Sequence, residues 1–118
     1  MSPGDSLARE PAAPRRWLSI VGIGEDGLEG LTGVARGLVK DAEIVFGGKR
    51  HLGLAAALIS GAARPWPSPF ERAVEEVLAY RGRQVCVLAS GDPFVHGVGA
   101  VLLRHVDPRE TVAVPQPS

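Results

Sequence analysis

From Trp17 onward the chain alternates short, dense apolar runs with longer stretches in which apolar residues recur every three or four positions. WLSIVG, EIVFG, QVCVLA and TVAV read as strands, being rich in β-branched residues and too short for helices. QVCVLA is apolar at nearly every position, as expected of a strand buried on both faces. A weaker extended piece over residues 64–66 predicts one more strand. Between these runs, Leu31, Val34, Ala35, Leu38 and Val39 form one helical stripe, and Leu52, Ala55, Ala56 and Ile59 form a second. Phe70, Ala73, Val74, Val77 and Leu78 make a third, and Val98, Val101, Leu102 and Val106 a fourth. The third helix has an explicit start, because Ser68, Pro69 and Glu71 spell a capping box with proline at the first helical position. Residues 1–16 carry prolines and charges with no hydrophobic period and predict a disordered tail, leaving 17–118 as one domain.

Strand and helix taking turns along the chain predict an α/β fold: a mainly parallel open sheet of about five strands with helices on both faces. In such a sheet every strand-to-helix loop leaves at the carboxyl edge and every return loop at the opposite edge. The return segments KDAE, SGAAR, RGR and HVDPRE are short and charged. The carboxyl-edge segments GIGEDGLEG, GGKRH, PWPSP, SGDPFVHG and PQPS hold most of the glycine and proline and the single Lys-Arg-His triplet. That asymmetry predicts a small-molecule site on the carboxyl edge.

Composition narrows the ligand only slightly. At 118 residues and 45% hydrophobic content the chain suits one compact domain with its own core. Thirteen basic and 13 acidic residues leave a formal net charge of zero, so no global field draws in nucleic acid or anionic lipid. Cys86 is the single cysteine, which rules out a disulfide or zinc framework, and its place inside VCVLA predicts a small buried hydrophobe. No stretch approaches the roughly 18 apolar residues of a membrane span, and the N-terminus lacks the order of a signal peptide. A cytoplasmic protein with no membrane partner is expected.

Two motifs invite chemistry. Gly22, Gly24 and Gly27 fit G-x-G-x-x-G, but in a dinucleotide fold the helix opens on the glycines, and here the stripe begins only near Leu31 with Thr32 as a cap. EIVFGG also has its acidic residue, Glu43, at the start of the strand rather than at the ribose end. The plainer role of the glycines is a tight strand exit with positive φ. Asp92 before Pro93 makes a good helix N-cap, yet it is delivered with Gly91 to the ligand edge, and Gly97 and Gly99 strip side chains from the following turn. A dinucleotide site and a noncatalytic assembly surface at this edge stay open alternatives.

VGIGEDGLEGLT after the first strand, GGKRHL after the second, SGDPFVHG after the apolar strand and the terminal VPQPS together resemble the tetrapyrrole methylases, over Trp17 to Ser118. More narrowly they are similar to the amino-terminal part of the family's cobalamin-pathway, precorrin-methylating branch. The resemblance implies S-adenosylmethionine as cofactor, S-adenosylhomocysteine as product, methylation of a tetrapyrrole meso carbon (C5), and a cleft between two α/β domains. This chain supplies only the first domain and ends inside the linker motif, so the missing C-terminal methylase domain is an expected partner, as is a homo-oligomer. By motif matching, Gly91, Asp92, Val95 and Ser118 fall on cofactor-contacting positions. Gly24 and Glu25 join them in the first loop, Glu25 at a position often apolar in relatives where main-chain contact is enough. Lys49 and Arg50 are expected to meet the carboxylates of an acidic precorrin, with His51 and His96 as further substrate-side groups. The resemblance supplies no catalytic base, no metal and no nucleic-acid partner.

Overall fold

The computed structural model describes residues 16–24, 26–67, 72–89, 101–102 and 104–114. Five strands form one sheet: β1 (Leu18–Gly22), β2 (Ile44–Gly47), β3 (Ala62–Pro65), β4 (Val85–Ala89) and β5 (Thr111–Val114). Their order is β3-β2-β4-β1-β5, and every pairing is parallel. Three helices are described, α1 (Gly33–Asp41), α2 (Lys49–Ala55) and α3 (Ala73–Leu78), with 3-10 turns at Gly27–Gly30 and Pro108–Glu110.

The apolar runs become central strands because both of their faces are covered. Every residue of β1, β2 and β4 is buried. Alternate side chains feed two cores: Leu18, Ile20, Ile44, Phe46, Val85 and Val87 on one face with Val77 of α3 and Leu102, and Val21, Val45, Cys86 and Leu88 on the other with Ala35 and Val39 of α1 and Ala55 of α2. Burial pushes the Cys86 thiol up to about 12, so it stays protonated as the small hydrophobe its context predicts.

At the amino edge one buried carboxylate joins three strands. Glu110, 6% exposed, accepts from Trp17 Nε1 and from Arg81 Nη2, both at 2.7 Å. The Trp17 main chain donates to the Glu110 carbonyl and accepts from Val85 N, which ties the starts of β5, β1 and β4 together. Nearby, Arg83 donates twice to Glu43 Oε1, at 3.0 and 2.8 Å, and Gln84 N donates to Oε2. These bonds, Arg83 first, hold the Glu43 carboxyl below the usual carboxylate range.

Four details depart from the sequence pattern. SGAAR is not all return loop: Ala62–Arg64 lie in β3, which pairs β2 from Ile44↔Ala62 onward. Gly61 permits that early pairing, because a Cβ there would run into the Glu43 carbonyl. The strand expected over residues 64–66 thus begins two residues earlier, at Ala62; it is an exposed edge strand without apolar alternation, which left its start unmarked, and Pro65 is tolerated at its end. Val34 is 66% exposed, since the apolar face of α1 narrows to Ala35 and Val39. Ala56 is exposed in the turn after α2, and Trp66, expected within the strand over 64–66, lies just past the end of β3. The capping box of Ser68, Pro69 and Glu71, the tail over residues 1–15, and Val98 lie outside the described residues; Val101 and Leu102 are helical as expected.

Removing the Glu110 side chain orphans the indole N–H of Trp17, whereas the 61%-exposed Arg81 falls back on water. Glu110→Ala is expected to lower unfolding free energy by about 2–3 kcal/mol. Glu110→Gln, which keeps an acceptor for Trp17, should cost distinctly less, as urea unfolding of the two variants will show.

Candidate functional site at the carboxyl edge

β1 and β4 are neighbours in mid-sheet, but the chain leaves them in opposite directions, from β1 toward β2 and from β4 toward β5. Connections toward the β3 side put α1 and α2 on one face; those toward the β5 side put α3 and Leu102 on the other. A uniform crossover hand produces this division. By strand order the carboxyl end of the β1–β4 boundary is a topological switch point, the place where open α/β sheets have their ligand crevice.

The first wall of the crevice is main chain. Ile23, fully buried, extends the β1–β4 ladder by donating its N–H to the Ala89 carbonyl at 2.8 Å. Gly24 follows, half-buried, and its carbonyl accepts from Gly27 N at 3.0 Å. Gly27 has φ +59° and lies against Leu54 of α2, with 3.5 Å between Leu54 and the place a Cβ would occupy. Only Gly27 of the three motif glycines meets the expectation of a positive φ; Gly22 and Gly24 do not. Beyond the 3-10 turn, α1 starts at Gly33, where the Thr32 hydroxyl accepts from Ala35 N at 3.1 Å. The helix does not open on the glycines, and β2 ends in Gly47 with no acidic residue following, so the dinucleotide layout is not met.

The neighbouring exit is built from the triplet. Gly47 lets β2 pass close over Leu88, since a Cβ there would sit 3.2 Å from the Leu88 Cβ. Gly48 caps α2, which places Lys49 and Arg50 exposed and His51 half-buried, beside β4 at the ligand edge. Desolvation first, then the Arg50 charge, holds the His51 imidazole below its ordinary pKa of 6.5. Trp66, just past β3, donates its N–H to the Gly47 carbonyl and stacks on Phe46 with ring centroids 5.4 Å apart.

Gly24, Lys49, Arg50 and His51 thus share one edge, as expected. Glu25, Gly91, Asp92, Val95, His96 and Ser118 lie outside the described residues. The described border of the crevice, Gly22, Ile23, Gly24, Gly47, Gly48 and Ala89, is small or apolar, so its polar atoms are backbone N–H and C=O groups. Such a surface suits a flat ligand with few, well-placed polar atoms and fits an adenosyl group. Sequence pattern missed Arg36, whose guanidinium reaches back from α1 to the Leu28 and Leu31 carbonyls of the first loop. An arginine on a helix carries no periodic signal of such a task. A shallow groove of about 300 Å³ between Arg64 and α3 lies on the outer side of the sheet and is lined by Arg72, Glu75, Glu76 and Tyr80 as well. Its charges are mixed, Arg64 lying 4.0 Å from Glu76, and give no common sign for a ligand. Among the described residues no cluster of His, Cys, Asp or Glu could hold a metal, and no helix is long and apolar enough to cross a membrane.

Comparison with known proteins agrees with this geometry. The family model for tetrapyrrole (corrin/porphyrin) methylases matches residues 18–118. A precorrin-6Y C(5,15)-methyltransferase [decarboxylating] from Sinorhizobium sp is 52% identical over 92% of this chain and 26% of its own length. A cobalt-precorrin-7 C(5)-methyltransferase from Salmonella typhimurium is 31% identical over 83% of this chain and 48% of its own. The chain therefore spans about a quarter and about half of these two relatives. The crystal structure of uroporphyrin-III C-methyltransferase from Thermus thermophilus superposes with TM-score 0.69 at 32% identity, covering 86% of this chain and 47% of that one. Another structure of that enzyme, complexed with S-adenyl homocysteine, gives TM-score 0.61 at 28% identity, covering 86% and 45%.

Because the folded His51 binds a proton less readily than the unfolded chain, its contribution to stability is complete above pH 6.5 and is lost as pH falls below it. Proton NMR should place the His51 midpoint below 6.5, and His51→Gln should flatten the acid-side fall in melting temperature.

Proposed function

The chain belongs to the tetrapyrrole methylase family, and on that premise we propose that it is the amino-terminal, cofactor-binding part of an S-adenosylmethionine-dependent C-methyltransferase acting on a precorrin in cobalamin biosynthesis. The observation that carries the proposal is the switch point at the carboxyl end of the β1–β4 boundary, at the edge that also holds Lys49, Arg50 and His51. The methylated carbon is C5: the chain matches both a relative named for C5 and C15 with decarboxylation and a relative named for C5 alone. The C15 and decarboxylation chemistry falls to the remaining length of the longer relative.

When bound, S-adenosylmethionine supplies a methyl group on a sulfonium and is left as S-adenosylhomocysteine. The work of this chain is to hold donor and acceptor in line and away from water, which can provide much of the rate without a catalytic triad. Gly24, Glu25, Gly91, Asp92, Val95 and Ser118 are proposed to hold the cofactor. Lys49 and Arg50 take carboxylates of the acidic tetrapyrrole. His51, kept neutral near pH 7, is available with His96 to accept a hydrogen bond or a proton on the substrate side. A second methylase domain closing the cleft, a homo-oligomer and a cytoplasmic setting complete the proposal.

Titration calorimetry with adenosylhomocysteine, on residues 1–118 and on the chain extended through the second domain, tests the shared cleft. The extended protein should bind far more tightly. Micromolar binding by 1–118 alone overturns the shared cleft, and protection of the extended protein by NAD but not by adenosylhomocysteine overturns the methylase reading. In the extended protein, Asp92→Ala should weaken cofactor binding by more than the roughly 1 kcal/mol that a lost helix cap costs.

Replacing Lys49 and Arg50 together by glutamine should raise the KM for the precorrin about tenfold or more at nearly constant cofactor affinity, since each charge-assisted contact is worth about 1.5–3 kcal/mol. The double variant should also lose much of the wild type's salt dependence, which steady-state kinetics across ionic strength will measure.

A further inference from the structure

Gly24 and Asp26–Leu31, the described part of the first loop, border the switch point, yet they include few residues able to fix the loop's shape. Its turns are closed by local bonds alone, Gly27 N to Gly24 O at 3.0 Å and the longer Glu29 N to Asp26 O at 3.3 Å and Leu31 N to Leu28 O at 3.2 Å. A 3-10 segment of four residues with glycine at both ends does not persist on its own propensity. Its entry is tied by Ile23 to β4 and its middle rests on Leu54. The exit is held by a side chain: Arg36 Nη2 donates to Leu28 O at 2.5 Å and Arg36 Nε to Leu31 O at 3.3 Å.

The Leu28 carbonyl already accepts the closing bond of the 3-10 turn from Leu31 N and takes Arg36 as a second donor, while the Leu31 carbonyl belongs to the extended residue that ends the turn, a place where a positive charge is favoured. They sit three residues apart, and a guanidinium offers separate, rigidly spaced N–H groups to both. A lysine ammonium is one compact head and cannot reproduce that fork. From this geometry we infer that Arg36 is a positioning residue for the cofactor loop, setting the shape of the Gly24 wall through the Leu28 and Leu31 carbonyls without touching the ligand. The inference rests on the cofactor reading proposed above and adds to it a residue on a helix that the motifs do not mark.

The test uses Arg36→Lys and Arg36→Met in the chain extended through its second domain. Cofactor KM should rise about tenfold in the methionine variant and by an intermediate factor in the lysine variant. With cofactor saturating, kcat and precorrin KM should stay within about twofold of wild type. A merely structural arginine would instead lower melting temperature with no selective effect on cofactor KM, and equal cofactor KM in all three proteins overturns the inference. Amide exchange at Gly27 and Leu31, read without any ligand, should speed up more than tenfold in the methionine variant while β1 and β4 amides stay protected. Unchanged exchange at those two amides overturns the latch as well. If the methionine variant does not fold, the lysine variant decides by the same two readouts. Absence of adenosylhomocysteine binding in wild type counts against the cofactor reading alone, and the exchange result then still decides whether Arg36 holds the loop.

Discussion

The pairing of β1 with β4, in register from Leu18↔Val85 to Gly22↔Ala89, is the constraint on which the rest of the molecule depends. It brings together two strands far apart in sequence whose onward connections run to opposite sides of the sheet. Backbone polar groups within these strands are consumed by the ladder and sealed between two apolar layers. At their carboxyl ends the ladder gains one more bond, Ile23 N to Ala89 O. The strand order puts the topological switch point at the same place.

The two edges divide the labour. The amino edge is closed by side chains: Glu110 satisfies Trp17 and Arg81, while Glu43 joins Arg83 and the Gln84 amide, so the starts of the strands are pinned by charge-assisted bonds. The carboxyl edge is kept bare by Gly22, Gly24, Gly47 and Gly48, where backbone lies open to a ligand or close to its neighbours. What polarity the carboxyl edge has beyond its backbone comes from Lys49, Arg50 and His51, one strand across from the crevice and therefore able to face a second molecule beside the first.

The first loop shows how such an edge is shaped. Its glycines make close approach possible but give it no rigidity, so the constraint is imported from three elements: β4 through Ala89, α2 through Leu54 and α1 through Arg36. The contacts through Ala89 and Leu54 form only once the sheet has assembled, whereas that of Arg36 is local and depends on the path of the loop back along α1.

The sequence by itself determined the class of fold, the central strands and the edge on which chemistry collects. Apolar runs such as IVFG and VCVLA can be satisfied only by burial on both faces, and glycine, proline and charge segregate by loop whatever the details of packing. It also determined the Thr32 cap and the buried, inert Cys86, which depend on local context alone. Tertiary structure decided the rest. β3 starts as early as Ala62 because Gly61 lets an unpatterned segment dock on the edge of β2, and Val34 is exposed because α1 meets the sheet along a narrower face than its stripe allows. The strand order that opens the crevice and the reach of Arg36 to two carbonyls are long-range or geometric relations. Periodicity records which way a residue faces along its own element, and it carries no information about which element that face will meet.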